Sequence, residues 1–547
     1  MTTRSRRPDI IFVVLDTLRA DRLSCYGYGS ETTPHLDALA AQGVLFERAI
    51  SPAQWTIPAH ASLFTGEFPS THGTTQIFDR HTHAVPTFAE LLGRSGYHTV
   101  GFCNNPLLGV VQNDLDRGFR EFYNYGGVLP NRPPLSGRRP HLPRRFADWA
   151  RRQLYQLADP IQQLFTRNEA LLGLALHPWL VPLWERNINF RGNTRLSILD
   201  VVGYLKRHHQ RDDPEPLLVY LNLMETHLPF STPVAFSRKF APTFHQHREA
   251  RAFMQSLNHR TYDWITPIVE PFTAMQHQVL NEMYDAEVAY EDHQLRHLLT
   301  YLDEPEVRDN ALVIVASDHG EGLDHHGYIG HPLVVYEDLV RVPLIVRYPA
   351  HYAAGQRVAA PVSTRRIFHT VLDAAGFGPP SGGEPSDGVP AGGGPPGGVP
   401  LGGVDLEAVE RLSLRRALNG HDTDAGGAFA EAYPPLTLVH LIEKRRPQIA
   451  EQFRCRAVRR TLYDGDRKLI RVDDAAEELY DVTADPDELT NRIAEQPAVA
   501  MRIAEQLDAA VATSLARRPL QAEPPSHIDV ERDRQLRERL RRLGYID

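Results

Sequence analysis

The chain has 547 residues, 42% of them apolar, and a formal net charge of −9. That length predicts one large domain with a smaller one, and so mild a charge gives no reason to expect nucleic acid as a partner. The cysteines Cys25, Cys103 and Cys455 are too few and too scattered for a disulfide framework or for zinc spacing.

In chain order, the run Asp9 to Leu15 (DIIFVVL) is continuous and β-branched, the pattern of a strand buried on both faces. It is too short for a signal-peptide core and no small-residue cleavage site follows it. The longest other apolar stretch, Ala170 to Trp184, is interrupted by His177, Pro178 and Pro182 and is too short to span a bilayer. A cytoplasmic location without a membrane span is therefore expected. Leu36 to Gly43 reads as a short helix, and Pro86 to Gly96 as another with Pro86 in its first turn. His98 to Phe102 is strand-like, Leu196 to Leu205 helical, Pro216 to Leu223 a buried strand, and Met283 to Leu302 helical. Ala311 to Ala316 is a further buried strand, and Val342 to Val346 one more. Buried strands alternating with helices predict an α/β fold with a mostly parallel sheet. In such sheets ligands sit beyond the carboxyl ends of the strands, which places Asp16 and Asp318 at the same edge.

Residues 130–190, rich in Arg, Pro and Trp, read either as an inserted helical cap near the site or as a peripheral packing element. Pro379 to Gly403 is Gly/Pro low complexity and predicts a flexible linker. Beyond it, Ala428 to Tyr433, Ala457 to Tyr463, Lys468 to Val472 and Glu478 to Val482 have strand character. The turn Asp464-Gly465-Asp466 predicts a hairpin, so a small antiparallel sheet is expected, then a helix over Val499 to Leu515. The expected organisation is a catalytic domain over 1–375, a linker over 376–404 and a C-terminal subdomain and tail over 405–547.

Three clusters carry chemistry. Asp16, at a strand end, is a hard oxygen ligand suited to a divalent cation, or alternatively a helix N-cap. In Trp55-Thr56-Ile57-Pro58-Ala59-His60, Pro58 can open a helix that Gly66 closes. Thr56 then stands at a helix N-terminus, where free N–H groups and the dipole favour an anion; its other reading is a capping residue. In Ser317-Asp318-His319-Gly320-Glu321, a strand-end carboxylate and imidazole can share one ion. The nearby His325, His326 and His331 can supply proton donors or anion contacts.

These motifs resemble the sulfatase family of the alkaline-phosphatase superfamily. Thr32-Thr33-Pro34-His35-Leu36-Asp37 is similar to its TPNLD run. Thr56 to Gly66 is similar to its C-x-P-S-R nucleophile motif, which ends in T-G. Asp318-His319-Gly320-Glu321, Arg341-Val342-Pro343-Leu344-Ile345 and Glu478-Leu479-Tyr480-Asp481 with Asp485-Pro486 follow in the family's order. The resemblance implies an alkaline-phosphatase-like fold with a smaller C-terminal antiparallel subdomain, and an ester hydrolase holding one divalent ion (Ca, Mg, Mn or Zn) on Asp16, Thr56, Asp318 and His319. It also implies catalytic roles for Thr56, His60, His227 and His331, and substrate contacts from Asn104, in the place of the family's lysine, and His326.

The departures bear on the chemistry. Thr56 stands where the family has a Cys or Ser that becomes formylglycine, and threonine cannot be oxidised to that group, so no formylglycine is expected. A sulfated threonine lacks the hemiacetal whose collapse releases sulfate, whereas a phosphothreonine can be hydrolysed by water at phosphorus. Phosphodiester or phosphonate ester chemistry is therefore slightly favoured, through a Thr nucleophile and a covalent intermediate. The alternatives are a sulfuric ester hydrolase proper and a non-catalytic metal-binding member of the fold. The expected partner is a small-molecule, glycan or lipid ester.

Overall fold

The computed structural model of the chain describes residues 7–77, 79–127, 130–133, 191–260, 264, 267–268, 270–378, 404–418 and 428–519. The readings of residues 134–190 as a cap and 379–403 as a linker lie outside them. Among the described residues no helix is long and apolar enough to cross a membrane.

The predicted apolar runs pair into one eight-stranded sheet. Its order is Gln356–Val358, Val44–Phe46, Leu344–Arg347, Ala311–Ala316, Asp9–Leu15, Leu217–Leu223, His98–Cys103 and Glu121–Asn124. Only Leu344–Arg347 runs against the rest. Asp9–Leu15 lies at the centre, parallel to both neighbours, and all seven of its residues are buried. Alternation of side chains along it divides the core. Ile11, Val13 and Leu15 pack with Leu280, Tyr284 and Leu295, which belong to the helix Ala274–Leu302. Ile10, Phe12 and Val14 pack instead with Leu63 and Phe64 of the helix Thr56–Thr65 and with Phe368 of the helix Arg366–Ala374. Helices on both faces explain why these strands read as unbroken apolar runs.

Two local readings are corrected. The helix after Pro86 is Phe88–Arg94, and its N-cap is Thr87, in a capping box with Glu90. Pro86 thus precedes the cap instead of occupying the first turn, because the reciprocal Thr87–Glu90 bonds satisfy the free N–H groups better than a proline can. The Val342 to Val346 run is broken at Pro343, which has no N–H for a ladder. Arg341–Val342 joins a small three-stranded sheet, and Leu344–Arg347 turns into the large one, antiparallel.

The C-terminal strands form the expected antiparallel sheet, in the order Phe429–Ala432, Arg459–Asp464, Arg467–Val472, Ala475–Asp481. Its tight turn has Gly465 at φ 61°, a left-handed position that glycine adopts without strain. One face packs on the helix Pro497–Ala516 through Leu462, Leu469, Ile503 and Leu507. The other, through Tyr463, Ile470 and Tyr480, meets Val334, Val335 and Leu339 from the segment behind His331. The small sheet thereby supports the wall of the site.

Across the main sheet, the helix Ala274–Leu302 buries Glu287 completely, and burial, reinforced by Glu225, pushes its carboxyl up to about 8 despite Arg191. A carboxyl raised in the folded state binds its proton more tightly there than in the unfolded chain. Its stabilising share is complete below about pH 4.5 and is lost as pH rises through about 8. Glu287→Gln, locked neutral, is expected to flatten the decline in melting temperature between pH 5 and 8.5. The difference should be on the order of a few kcal/mol at the alkaline end. Parallel melting curves for wild type and variant would contradict the assignment.

Candidate active site

The two central strands deliver their carboxylates to one point. Asp16 N–H continues the ladder by donating to the Leu223 carbonyl at 2.9 Å. The chain then turns sharply at Thr17, whose φ of 65° is strained for a β-branched residue. The turn is held by the Tyr284 hydroxyl, which donates to the Thr17 carbonyl at 2.7 Å, and by Thr226 Oγ1, which donates to the Asp16 carbonyl at 2.7 Å. No α-helix begins at Asp16, so the capping alternative for it falls. On the next strand, Ser317 Oγ donates to the His319 carbonyl at 2.6 Å. Gly320 follows because a Cβ there would lie 1.9 Å from the Asp338 carbonyl oxygen.

Among the described residues, Asp16, Asp318 and His319 are the one group of carboxylates and imidazoles close enough to share a metal ion, with ligand atoms within 4.8 Å of one another. All three are fully buried. His319 Nε2 lies 3.2 Å from Asp318 Oδ2 and 3.9 Å from Asp16 Oδ1. Its Nδ1 meets the Gly320 carbonyl at 2.9 Å, and since a carbonyl only accepts, Nδ1 carries the hydrogen and Nε2 presents a lone pair. The other carboxylate oxygens are engaged. Asp318 Oδ1 accepts from the N–H of His319 at 2.9 Å and of Thr17 at 3.3 Å. Asp16 Oδ2 accepts from Asn105 Nδ2 at 2.7 Å. Asp16 Oδ1 and Asp318 Oδ2 have no hydrogen-bond partner, although such buried atoms ordinarily find one.

The electrostatics follow from holding two carboxylates and two imidazoles together out of water. Burial and then Asp318 push Asp16 up to about 7. Burial also raises Asp318, but the imidazoles of His319 and His60 more than offset it and hold that carboxyl below its ordinary range. His319 is lowered by burial yet raised to about 9 by Asp318 and Asp16 together. The two carboxylate oxygens, with Nε2 of His319 once that ring gives up its proton, suit a hard or borderline divalent ion.

Thr56 opens the helix Thr56–Thr65, and Trp55 is the capping residue, without a side-chain cap. The Thr56 hydroxyl is therefore not spent on capping. Its Oγ1 lies 3.4 Å from His319 Nε2 and 3.5 Å from Asn105 Nδ2, at the edge of the carboxylate cluster. The preceding turn is tied to the C-terminal segment, because Gln54 Nε2 and Trp55 Nε1 both donate to the Tyr433 carbonyl, at 3.1 and 3.0 Å.

His60, one turn on, is fully buried behind Asp318. Its Nδ1 lies 3.0 Å from the Thr56 carbonyl oxygen and 3.4 Å from Asp318 Oδ2, and its ring stands edge-on to Phe64 and Tyr220. That placement suits it to steady Asp318. His331 and His227 do reach the site, with ring centroids 4.3 Å from His319 to His331 and 5.1 Å from His331 to His227. Burial lowers both.

Two other residues are not brought into the cluster. His326 stacks on Tyr336 at 3.7 Å, where burial and then Lys468 lower it to about 4. Asn104 turns away, donating to Thr194 Oγ1 at 3.3 Å and filling the space beside Gly192. His325 is likewise diverted, its Nδ1 3.4 Å from Arg19. Glu225 faces Arg191 at 4.0 Å.

Sequence reasoning missed Asn105, which bonds Asp16 while its own Oδ1 accepts from Leu107 N–H at 2.9 Å. It also missed Asn222, whose Nδ2 reaches Asp16 Oδ2 at 3.4 Å and whose Oδ1 accepts from the Asn105 N–H at 3.1 Å. A signal was present for Asn222, the lone strongly polar residue in the buried run LLVYLNL. For Asn105 there was none beyond adjacency to Asn104. Asn105→Ala is expected to weaken metal activation about 10- to 100-fold, the scale for partners that orient a ligand. Metal titration of activity would measure this, and an unchanged half-saturation would remove Asn105 from the site.

The family model for sulfatases matches residues 8–377, more than half of the chain. An uncharacterized sulfatase, YidJ, of Escherichia coli (strain K12) is 25% identical over 385 residues, covering 68% of each chain. Among solved structures, the phosphonate monoester hydrolase of Agrobacterium radiobacter superposes with a TM-score of 0.59 at 20% identity, over 93% of this chain and 96% of that one. The phosphonate monoester hydrolase SpPMH of Silicibacter pomeroyi gives 0.60 at 18% identity, over 93% and 96%. These two share the fold, a large mostly parallel sheet between helices with a small antiparallel sheet behind it. The family model across the catalytic motifs decides the assignment: the chain belongs to the sulfatase family of the alkaline-phosphatase superfamily.

Proposed function

We propose that this protein is a metal-dependent hydrolase of sulfate or phosphate esters in which Thr56 attacks and carries a covalent intermediate, with phosphodiester and phosphonate esters favoured over sulfates. The observation that carries the reading is the Thr56 hydroxyl, free of any capping duty, 3.4 Å from His319 Nε2 beside the Asp16–Asp318–His319 cluster. A divalent ion held by Asp16, Asp318 and His319, with Thr56 beside it, would polarise an ester oxygen and lower the pKa of the hydroxyl. The two unpartnered oxygens, Asp16 Oδ1 and Asp318 Oδ2, are the atoms available to hold it.

Asn105 and Asn222 fix Asp16 through its other oxygen, and His60 backs Asp318. Thr56 stands at the N-terminus of a ten-residue helix, whose free N–H groups and dipole favour the anionic ester group. His227 and His331 stand beside this cluster, where a leaving oxygen or the charged equatorial oxygens can be met. The chemical preference follows from threonine itself. It cannot form the aldehyde hydrate through which sulfate is expelled, whereas its phosphate ester is open to attack by water at phosphorus. Solved structures of the same fold include phosphonate monoester hydrolases and sulfatases alike. The substrate is proposed to be a small-molecule, glycan or lipid ester, acted on in the cytoplasm.

The test is turnover of p-nitrophenyl sulfate, bis-p-nitrophenyl phosphate and p-nitrophenyl phenylphosphonate with Mn²⁺, Mg²⁺, Ca²⁺ or Zn²⁺. Metal-dependent cleavage of the phosphorus esters above the sulfate supports the reading. A sulfate ester as the best substrate would overturn the preference. Inactivity on all three with every metal would favour a non-catalytic member of the fold.

A further inference from the structure

The Thr56 side chain does little to hold itself in place. Among the described residues its hydroxyl has long contacts, 3.4 Å to His319 Nε2 and 3.5 Å to Asn105 Nδ2, and it caps no helix. The firm ties lie in the turn before it. The Ser51 hydroxyl reaches the Asp318 carbonyl, and the Ser51 N–H donates to the Val340 carbonyl at 2.7 Å. Gln54 makes the widest connection. Its Nε2 donates to the Pro332 carbonyl at 3.0 Å and to the Tyr433 carbonyl at 3.1 Å. Carbonyl oxygens only accept, so the group between them is the NH₂, and both of its hydrogens are engaged. Gln54 is fully buried, and its Oε1 has no partner among the described residues. Buried acceptors ordinarily find one, so this side chain is placed for its two donors and not for its oxygen.

The two acceptors lie 278 and 379 residues further along the chain. Pro332 follows His331, whose ring stands 4.3 Å from that of His319. Tyr433 follows the strand Phe429–Ala432 of the C-terminal sheet. Trp55 Nε1 is a second donor to the Tyr433 carbonyl, at 3.0 Å, and Arg459 of the same sheet donates to the Leu333 carbonyl at 3.1 Å. The turn before Thr56, the segment after His331 and the C-terminal sheet therefore close a triangle, and Gln54 forms two of its sides. Little slack separates this brace from Thr56. The one residue between, Trp55, is extended (φ −147°, ψ 165°), and its ring is buried against Ile57, Ala61 and Leu108.

Resting on the reading of Thr56 as nucleophile, we infer that Gln54 is the positioning residue that holds the Thr56 hydroxyl in line for attack. It does so by bracing the turn against the Pro332 and Tyr433 carbonyls. Two bonds from one planar amide fix both the place and the direction of the turn, where a single bond would leave a swivel. A reacting group must be held within about half an ångström of its productive geometry, and a displacement of about 1 Å can cost about 100-fold. The same amide makes the C-terminal sheet part of the catalytic arrangement through a backbone carbonyl.

The experiment replaces Gln54 with methionine, which keeps the length of the side chain and removes both donors. The full metal-loaded chain is assayed on the best ester of the wild type, and turnover is counted per metal-loaded chain. Gln54→Met is expected to lower kcat about 100-fold with KM within about twofold of wild type, the pattern of an interaction that serves attack and not binding. Metal half-saturation should stay at the wild-type value, because Gln54 bonds none of Asp16, Asp318 and His319. Transfer of the group to residue 56 in a single turnover, trapped by rapid quenching, should slow by the same factor as kcat. A merely structural Gln54 would lower melting temperature and yield while both rates per loaded chain stayed at wild type, and that result overturns the inference. Should Gln54→Met fail to fold, Gln54→Asn decides. It keeps the amide on a chain one methylene shorter, too short to meet both carbonyls, and should lose about 10-fold in kcat, an intermediate misplacement. A wild-type kcat in that variant overturns the inference equally. Thr56→Ala separates the two readings. If it loses turnover while Gln54→Met keeps its kcat, the nucleophile stands and the bracing role fails. If it retains turnover, the nucleophile reading fails and the inference falls with it.

Discussion

Thr56→Ala is expected to lower turnover of the best ester substrate by about 10⁴-fold or more, the scale reached when the nucleophile of a covalent mechanism is removed. The fold should hardly notice. Thr56 is the first residue of its helix and caps nothing, and among the described residues its hydroxyl has two long contacts, 3.4 Å to His319 and 3.5 Å to Asn105. Hydrogen bonds of that kind contribute at most about 1 kcal/mol each, so the melting temperature should stay close to wild type. Thr56→Ser keeps the hydroxyl and should keep most of the activity. Rapid quenching during turnover should trap the transferred group on residue 56 in the wild type and not in the alanine variant. An alanine variant retaining a tenth of wild-type turnover would mean that water attacks directly and that Thr56 is a bystander.

Asp318→Asn should have the second-largest effect, through the metal. Asparagine keeps the shape and the oxygen that accepts from the N–H groups of His319 and Thr17. It removes the charge and puts an NH₂ where Oδ2 now stands unpartnered, 3.2 Å from His319 Nε2. Partners that only orient a ligand cost about 10- to 100-fold in affinity, so loss of a ligand itself should cost at least about 100-fold. The readout needs no substrate. A metal at 100 times its Kd stabilises the wild type by about 2.7 kcal/mol, and that gain should fall to about 0.4 kcal/mol or less in the variant at the same concentration. With Asp318 neutral, the support that raises His319 to about 9 is also weakened. An undiminished metal-induced rise in melting temperature would place the ion elsewhere.

Whatever depends on local pattern was determined by the sequence itself. Short β-branched apolar runs such as DIIFVVL and ALVIVA read as strands covered on both faces, and that arrangement brings Asp16 and Asp318 to one edge. Hard ligands at that edge, with a hydroxyl opening a Pro-containing helix, were legible for the same reason. Which neighbour faces the site was decided only by the tertiary structure, because side chains alternate where a strand ends. Asn104 turns to Thr194 and Asn105 to Asp16, and nothing in Cys103-Asn104-Asn105-Pro106 distinguishes them. Of His325, His326 and His331, it is His331 that returns to the cluster, since the Gly322–Gly330 register of an antiparallel ribbon sets it opposite Glu321 and leaves His325 and His326 at the ribbon's far end. His60 falls behind Asp318 because one helical turn from Thr56 points into the bed formed by Phe64 and Tyr220. Facing direction and cross-strand register arise from contacts between segments hundreds of residues apart, such as Leu18 with Ser317 and Thr17 with Asp318, so no local window of the sequence contains them.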